Sequence, residues 1–319
     1  MKQEEIEYTS TGTKLLRNFD RVLEAKRTGK WYPITLQLAP TDVCNLDCIF
    51  CSVGKRKQDI LKLEDIKQAV DDFVSLNLRC VEVTGGGDPT MYPQIDELLE
   101  YLYSKNLKVG MITNGLELKN QVNLELINKL SWLRISLSVL DEENLKSKKY
   151  SLSDLDLDQI KAPLGLSYVW NETSNIKKLN KIIELKDQFG ARFVRVVPNC
   201  LNVWEQEKYK KDILPIIDSH DKIFFQTKKY DVFDKCYIGY LKPFLNADGY
   251  VHHCSAAPLY NLKFEANWRI CHMKDIKNIW PSNLPVMDTK NCQKGKCFYY
   301  DQNKLIDSVL KPMDDEDFI

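Results

Sequence analysis

Between residues 34 and 199 short apolar β-runs alternate with amphipathic stretches of helical period, and this alternation restricts the chain to an α/β architecture. The runs read as strands at ITLQLAP (34–40), RCVEVTG (79–85), LKVGMIT (107–113), WLRISLSV (132–139), LGLSYVW (164–170) and ARFVRVVPN (191–199). Each is too apolar to be a strand exposed on one side. Periodicity predicts helices near 62–76, 92–105, 120–130 and 174–189 and leaves the crossover around 150–161 without a clear element. Connections of this kind return over a sheet face and join parallel neighbours. Length leaves open whether the sheet is open or an incomplete barrel. In both, the loops that follow strands carry the chemistry.

Ahead of the first strand, Leu15, Leu16, Phe19, Val22 and Leu23 recur at helical spacing between Thr13 and Lys26, which predicts one helix that braces or covers the core. After Asn199 the alternation stops. A helix near 206–218 and a β-run KIFFQT (222–227) precede a loop-rich, cysteine-rich tail with too few long periodic segments for a large core of its own. The expected organisation is an N-terminal helical brace over 1–33, a core over 34–200 and a C-terminal extension over 201–319. The 45 Lys and Arg residues balance 45 Asp and Glu, so no net field draws the molecule toward nucleic acid or an anionic membrane. The start, MKQEEIEYTS, lacks the apolar centre of a signal peptide, and no apolar run approaches the roughly 18 residues of a bilayer span. A cytoplasmic protein with no membrane partner is expected. In a reducing compartment the ten cysteines point to metal, cluster or redox roles.

Three of them follow the first strand in TDVCNLDCIFC, a C-x3-C-x2-C array of Cys44, Cys48 and Cys51. Thiolates so spaced can take three corners of a cubane cluster and leave the fourth iron open. Zinc would require a fourth ligand that the local sequence does not offer. With aromatic Phe50 before the last cysteine, the array resembles the signature of the radical S-adenosylmethionine (SAM) superfamily. TGGGDP (84–89) is similar to the glycine-rich segment that bonds SAM's amino group in that superfamily, which implies contacts at Gly85, Gly86, Gly87 and Asp88. Asp88 departs from the commoner Glu. Glycine suits such a place because backbone must approach the ligand with no Cβ in the way. RISLSVLDEE (134–143) resembles the fourth-strand segment whose serine meets SAM's carboxylate, here Ser136, with Ser138 as the substitute. SYVWNETSN (167–175) and VRVVPN (194–199) resemble strands that line adenosine, which implies Ser167, Val169 and Arg195. The fold implied is a partial (β/α)6 TIM-like barrel holding a SAM-binding [4Fe-4S] cluster.

Cys236, Cys254, Cys271, Cys292 and Cys297 crowd the end of the chain. Cys236, then seventeen residues, then Cys254 in GYVHHC, with CQKGKC later, resembles the auxiliary-cluster extension called twitch, the shortened relative of the SPASM domain. Gly249 stands where that hairpin has its glycine, and MKDIKNIWPS (273–282) is similar to the helical segment that follows it. The resemblance implies a second [4Fe-4S] cluster on Cys236, Cys254, Cys292 and Cys297, although the C-x4-C pair is wider than the usual C-x2-C. Zinc is the rival, with His252, His253 and His272 nearby. Cys271 is then spare, as a hydrogen-atom donor to a carbon radical, a replacement ligand or a buried structural thiol. Cys80 and Cys200 read as core.

The resemblance implies one-electron reduction of SAM and a 5′-deoxyadenosyl radical that takes a hydrogen atom from a small molecule or peptide. Oxidation, epimerisation or ring formation would follow, with a flavodoxin- or ferredoxin-type protein as electron donor. No separate leader-binding domain precedes the barrel pattern, so the peptide expectation rests on the tail. Modification of a nucleotide or nucleobase is the alternative, weakened by the neutral charge. A non-catalytic, zinc-stabilised binding module would explain the cysteines but not the glycine segment or Ser136.

Overall fold

The computed structural model describes residues 3–54, 56–144, 150–202, 205–227, 235–256, 268–288 and 297–312. Cys292 lies outside them. The strands are β1 (Thr35–Leu38), β2 (Cys80–Val83), β3 (Lys108–Thr113), β4 (Trp132–Ser136), β5 (Leu164–Trp170), β6 (Phe193–Pro198) and β7 (Ile223–Phe225). They lie side by side in chain order and all pair in parallel. Helices Leu63–Ser75, Ile95–Ser104, Ile176–Gln188 and Gln206–Asp218 make the crossovers. The helix expected near 120–130 is two, Leu118–Gln121 and Leu124–Asn128, because Asn123 turns outward and caps the second by accepting from the Glu125 N–H at 2.8 Å. Between β4 and β5 only the short turns Ser138–Asn144 and Leu152–Asp154 are helical among the described residues.

Alternation along each strand divides the sheet into two faces. Leu36, Leu38, Val81, Val83, Val109, Met111, Leu133, Ile135, Leu164, Leu166, Val194 and Val196 point to one side and form, with the crossover helices, one continuous apolar core. The other face carries Gln37, Glu82, Arg134, Ser136, Ser167 and Arg195, aligned across β1, β2, β4, β5 and β6 by the parallel register. Two bare positions let aromatic rings lie on this inner face. A Cβ on Gly110 would meet the Trp132 ring at 2.1 Å, and one on Gly165 the Phe193 ring at 2.2 Å.

The extension does not stand apart from this sheet. After Cys236 the chain returns through β9 (Phe244–Leu245), which pairs in parallel with β1, and then runs antiparallel through β10 (Tyr250–His252) and β11 (Arg269–His272). The sheet therefore has ten strands with β11 and β7 at its two unjoined edges, so it is an open, barrel-like sheet. Gly249, at φ +81°, turns the β9–β10 hairpin, a backbone region in which a side chain is strained. A second small sheet pairs β8 (Lys235–Cys236) with β12 (Met287–Asp288). The described chain closes on a helix, Tyr300–Leu310, where a loop-rich tail was expected.

The N-terminal brace is three helices, Gln3–Tyr8, Gly12–Leu16 and Asp20–Thr28, not one. Tertiary ties break the pattern at Asn18. Its amide donates to the Lys14 carbonyl at 2.8 Å and its carbonyl accepts from Arg79, which also pairs with Asp20 at 2.8 Å. The first helix lies over the inner face, with Tyr8 stacked on Phe193 at 4.3 Å. Among the described residues no helix is long and apolar enough to cross a membrane.

Candidate active site at the carboxyl rim of the sheet

The loop after β1 is pinned shut at its base. Thr41 bridges Ile60, the Asp42 N–H donates to the Asp59 carbonyl at 3.0 Å, and the Leu61 N–H to Pro40 at 3.0 Å. Within it the Cys51 N–H donates to the Cys48 carbonyl at 3.1 Å, a turn that brings the second and third cysteines together. Cys44 and Cys48 pack on Leu46, Leu116 and Val139, so loops from β1, β3 and β4 meet over the thiols. Phe50 is buried in the same loop. Burial raises the Cys44 thiol to about 11 and the Cys48 thiol to about 12. Metal binding at these sulfurs must therefore expel protons.

The glycine segment locks onto the start of this loop. The Gly87 N–H donates to the Thr41 carbonyl at 3.1 Å and the Asp88 N–H to the Val43 carbonyl at 2.8 Å. A Cβ on Gly87 would stand 1.8 Å from the Val43 oxygen, and one on Gly85 1.7 Å from the Gly87 oxygen. Asp88 is buried and fully engaged by protein donors: the Thr90 N–H at 3.0 Å, the Thr90 and Thr113 hydroxyls at 2.7 Å, and the Asn114 N–H at 2.7 Å. It ties the ends of β2 and β3 together. Asn114 then donates to the Asn45 side chain at 2.7 Å and carries the tie into the cysteine loop.

Ser136 ends β4 with its hydroxyl 3.1 Å from that of Ser138, and Ser138 in turn works against burial to lower the Cys48 thiol. Ser167 pairs in register with Ser136 on one side and Arg195 on the other, so these residues form a row on the inner face, with Val169 two positions on. The Arg195 Nε donates to the side-chain oxygen Oε1 of Gln226. Residues expected from separate strands thus share one rim and one face.

Arg56 escapes the motif. Its guanidinium donates to the Cys51 sulfur at 3.0 Å, the Leu46 carbonyl at 3.2 Å and the Gly86 carbonyl at 3.3 Å, so one cation joins thiol, loop and glycine segment. Asp42 is the other unread residue. Its Oδ2 accepts from the Lys57 N–H at 2.9 Å, while its buried Oδ1 meets no donor among the described residues and its Cβ lies 3.2 Å from where a Gly86 Cβ would stand.

In the extension Cys236, Ile238, Trp268 and Met287 form a small apolar cluster against which Cys254 and Tyr299 pack. The Tyr299 N–H donates to the Cys297 sulfur at 3.2 Å. Asn303, on the last helix, accepts from the Tyr237 and Ile238 N–H groups at 2.7 and 3.0 Å and holds Cys236 toward the same cluster. Of the nearby histidines, His252 pairs with Asp248 at 3.2 Å, and the His272 Nδ1 accepts from the Lys274 N–H at 3.3 Å. Burial drives His253 down to about 3, so it is neutral. Cys271 is not brought to the rim. It pairs with Val251 and packs on the helix-side core, where burial lifts its thiol to about 12. Cys80 is on the inner face, 3.1 Å from the Thr35 hydroxyl, and not in the core. Among the described residues no three His, Cys, Asp or Glu side chains stand close enough to share a single metal ion.

The donor set fits a cluster that binds SAM. Three thiols lie in one loop, Cys44 and Cys48 packed on the same apolar residues, and the glycine segment beside them is pressed so closely on protein oxygens that a Cβ at Gly85 or Gly87 would strike them.

Residues 38–156 match the model of the radical SAM superfamily. Over 116 residues the chain is 33% identical to the mycofactocin maturase MftC of Mycobacterium tuberculosis, which covers 36% of this chain and 28% of the relative. It is 28% identical over 173 residues to a probable GTP 3′,8-cyclase of Saccharolobus islandicus, covering 51% of this chain and 56% of that one. The chain thus matches well under two thirds of either relative's own length. In fold it is similar to Streptococcus suis SuiB bound to S-adenosylmethionine, with a TM-score of 0.62 and 17% identity over 86% of this chain and 72% of SuiB. Cysteine loop, glycine segment and Ser136 all fall inside the matched stretch, and residues 38–156 are a radical SAM superfamily domain.

Proposed function

We propose that the protein is a radical SAM enzyme that takes a hydrogen atom from a peptide or small-molecule substrate held on the inner face of the sheet. The observation that carries this reading is the interlock of the cysteine loop with the glycine segment through Gly87–Thr41 and Asp88–Val43. In this reading the three thiols stand beside the glycine backbone at one strand rim. When bound, a [4Fe-4S] cluster on Cys44, Cys48 and Cys51 supplies the electron that cleaves SAM to methionine and a hydrogen-abstracting 5′-deoxyadenosyl radical.

The chain's own residues bind and shield. Backbone at Gly85 to Gly87 and the free Asp42 oxygen face the place for SAM's amino group, Ser136 and Ser138 the place for its carboxylate, and Ser167, Val169 and Arg195 the adenosine. Arg56 offsets negative charge at the Cys51 sulfur. Leu46, Leu116 and Val139 exclude water from one side, and the N-terminal helix covers part of the inner face. Cys236, Cys254, Cys297 and Cys292 are the proposed ligands of a second cluster, which would take an electron from the substrate or orient it. Cys271, on the far side of β11, serves this scheme as a structural thiol and not as a hydrogen donor.

A peptide substrate is supported by two names: MftC is a maturase, and SuiB has a structure bound to the precursor peptide SuiA. The nucleotide reading is supported by the likeness to probable GTP 3′,8-cyclases, one of which aligns over 83% of this chain at 20% identity, and ranks second because the maturase MftC is matched at the higher identity of 33%. Anaerobic reconstitution tests the proposal. Dithionite and SAM are expected to yield 5′-deoxyadenosine with the wild type and none with Cys44→Ala. A wild type that binds iron and SAM but releases no 5′-deoxyadenosine refutes it.

A further inference from the structure

The inner face carries one cation that the SAM site leaves unused, Arg134, beside one that borders it, Arg195. Arg134 lies on β4 two residues before Ser136, and Arg195 lies on β6. Their strand neighbours Leu133, Ile135, Val194 and Val196 are buried in the helix-side core, so both guanidiniums face away from it. Arg134, Arg195 and Lys242 share this space with two carboxylates, Glu82 and Glu5. Lys242 is bound by Glu82 at 3.1 Å. Arg195 has Gln226 and lies over the Phe298 ring at 5.4 Å. Among the described residues Arg134 has no hydrogen-bonded partner and only the more distant charge of Glu82, which Lys242 already holds. Its guanidinium lies 5.6 Å from the centre of the Trp132 ring, and its Nε, sealed from solvent, meets no acceptor among the described residues.

A guanidinium stays charged in any protein environment, and holding one half-buried with its Nε sealed and without an acceptor is unfavourable unless a ligand brings the anion. Burial and the like charge of Arg134 both press Arg195 away from its protonated form, a repulsion that an anion between the two would relieve. Among the described residues three cations face two carboxylates, Lys14 and Glu7 nearby offset each other, and the one positive charge left over is matched by a single carboxylate and reversed by a phosphate dianion. Position separates this anion from SAM's own carboxylate, for which Ser136 stands at the rim. Two residues of strand put Arg134 roughly 7 Å deeper along the sheet.

We propose that Arg134, with Arg195 beside it, binds a carboxylate of the substrate on the inner face of the sheet. Only the word substrate rests on the radical SAM reading; the anion site stands on the geometry. Thermal unfolding of the reconstituted protein tests it, with N-acetylglycine as the probe, N-acetylglycinamide as its uncharged twin, and inorganic phosphate, all at matched ionic strength. N-acetylglycine is expected to raise the melting temperature saturably by about 2–4 °C, the amide not at all. Arg134→Lys should keep less than half of that rise and Arg134→Met none, while the Met variant, freed of an unpaired cation, melts no lower than the wild type without probe. The proposal fails if acid and amide act alike, or if Arg134→Met melts several degrees lower, which would make Arg134 a structural brace. A larger response to phosphate overturns the assignment to a carboxylate. SAM alone is a separate arm, and its effect on melting reports on the radical SAM reading whatever the anion result.

Discussion

Glu82 sits on the inner face, where burial works to raise its carboxyl but Lys242 and then Arg134 hold it down to about 2. Its folded-state value is below the ordinary 4.5, so its stabilisation is complete above pH 4.5 and fades as pH falls toward 2. Lys242 is raised, although burial opposes it, because Glu82 accepts its charge; its share is present below the ordinary 10.5 and is lost only as pH rises beyond that value. Glu82→Gln is expected to lower stability by about 3 kcal/mol at neutral pH, because it leaves Lys242 buried and unpaired. The variant should also flatten the acid limb between pH 4.5 and 2, read from urea denaturation across pH. An unchanged midpoint would show that solvent screens the pair. Arg56→Met removes the donor to the Cys51 sulfur and should lower the midpoint potential of the reconstituted cluster by on the order of 60 mV, a tenfold change for one electron. Spectroelectrochemical titration measures it, and an unmoved potential would remove Arg56 from the site.

At the scale of elements, the glycine segment is a matter of backbone fit. Gly87→Ala puts a Cβ on the Val43 oxygen, and neither the loop base at Thr41 nor the knot at Asp88 can yield easily. The expected cost is about 1–3 kcal/mol of stability together with weaker SAM binding, measured by unfolding and equilibrium dialysis. Normal SAM affinity would mean that the segment is not where the ligand lies. The residues of this segment were legible because consecutive glycines after a strand have few other uses. Asp88 was legible as a position but not as a role, since only the fold shows its oxygens spent on Thr90, Thr113 and Asn114. The strands were legible from their apolar residues, yet Gln37, Glu82, Arg134 and Arg195 looked like isolated interruptions. Parallel register turns them into one polar face. Arg56 and Asn18 could not be read, because their partners are fixed by tertiary contact and not by spacing.

Across the whole molecule, core and extension share one sheet. The pattern of β9 and β10 is too short to announce itself, with two and three residues, so the tail reads as loop until it is paired with β1. That pairing brings the extension beside the core, where Tyr299 packs with Cys254 on the Cys236 cluster and feels the charges of Lys242 and Glu82. The last helix holds this arrangement through Asn303, which is fully buried. Asn303→Leu leaves two buried N–H groups without acceptors and should cost about 2–4 kcal/mol. It should also lower the iron content from about eight to about four per chain as the second cluster is lost and the first retained. Equal loss from both clusters would contradict the separate roles of the two cysteine groups. The central claim is that the loop of Cys44, Cys48 and Cys51 leaves one iron open to SAM, and electron paramagnetic resonance of the reduced protein tests it most directly. Addition of SAM labelled at its amino nitrogen is expected to shift the g values and to introduce hyperfine coupling from the label. A spectrum indifferent to SAM would mean that every iron is already fully coordinated, and the account would fall.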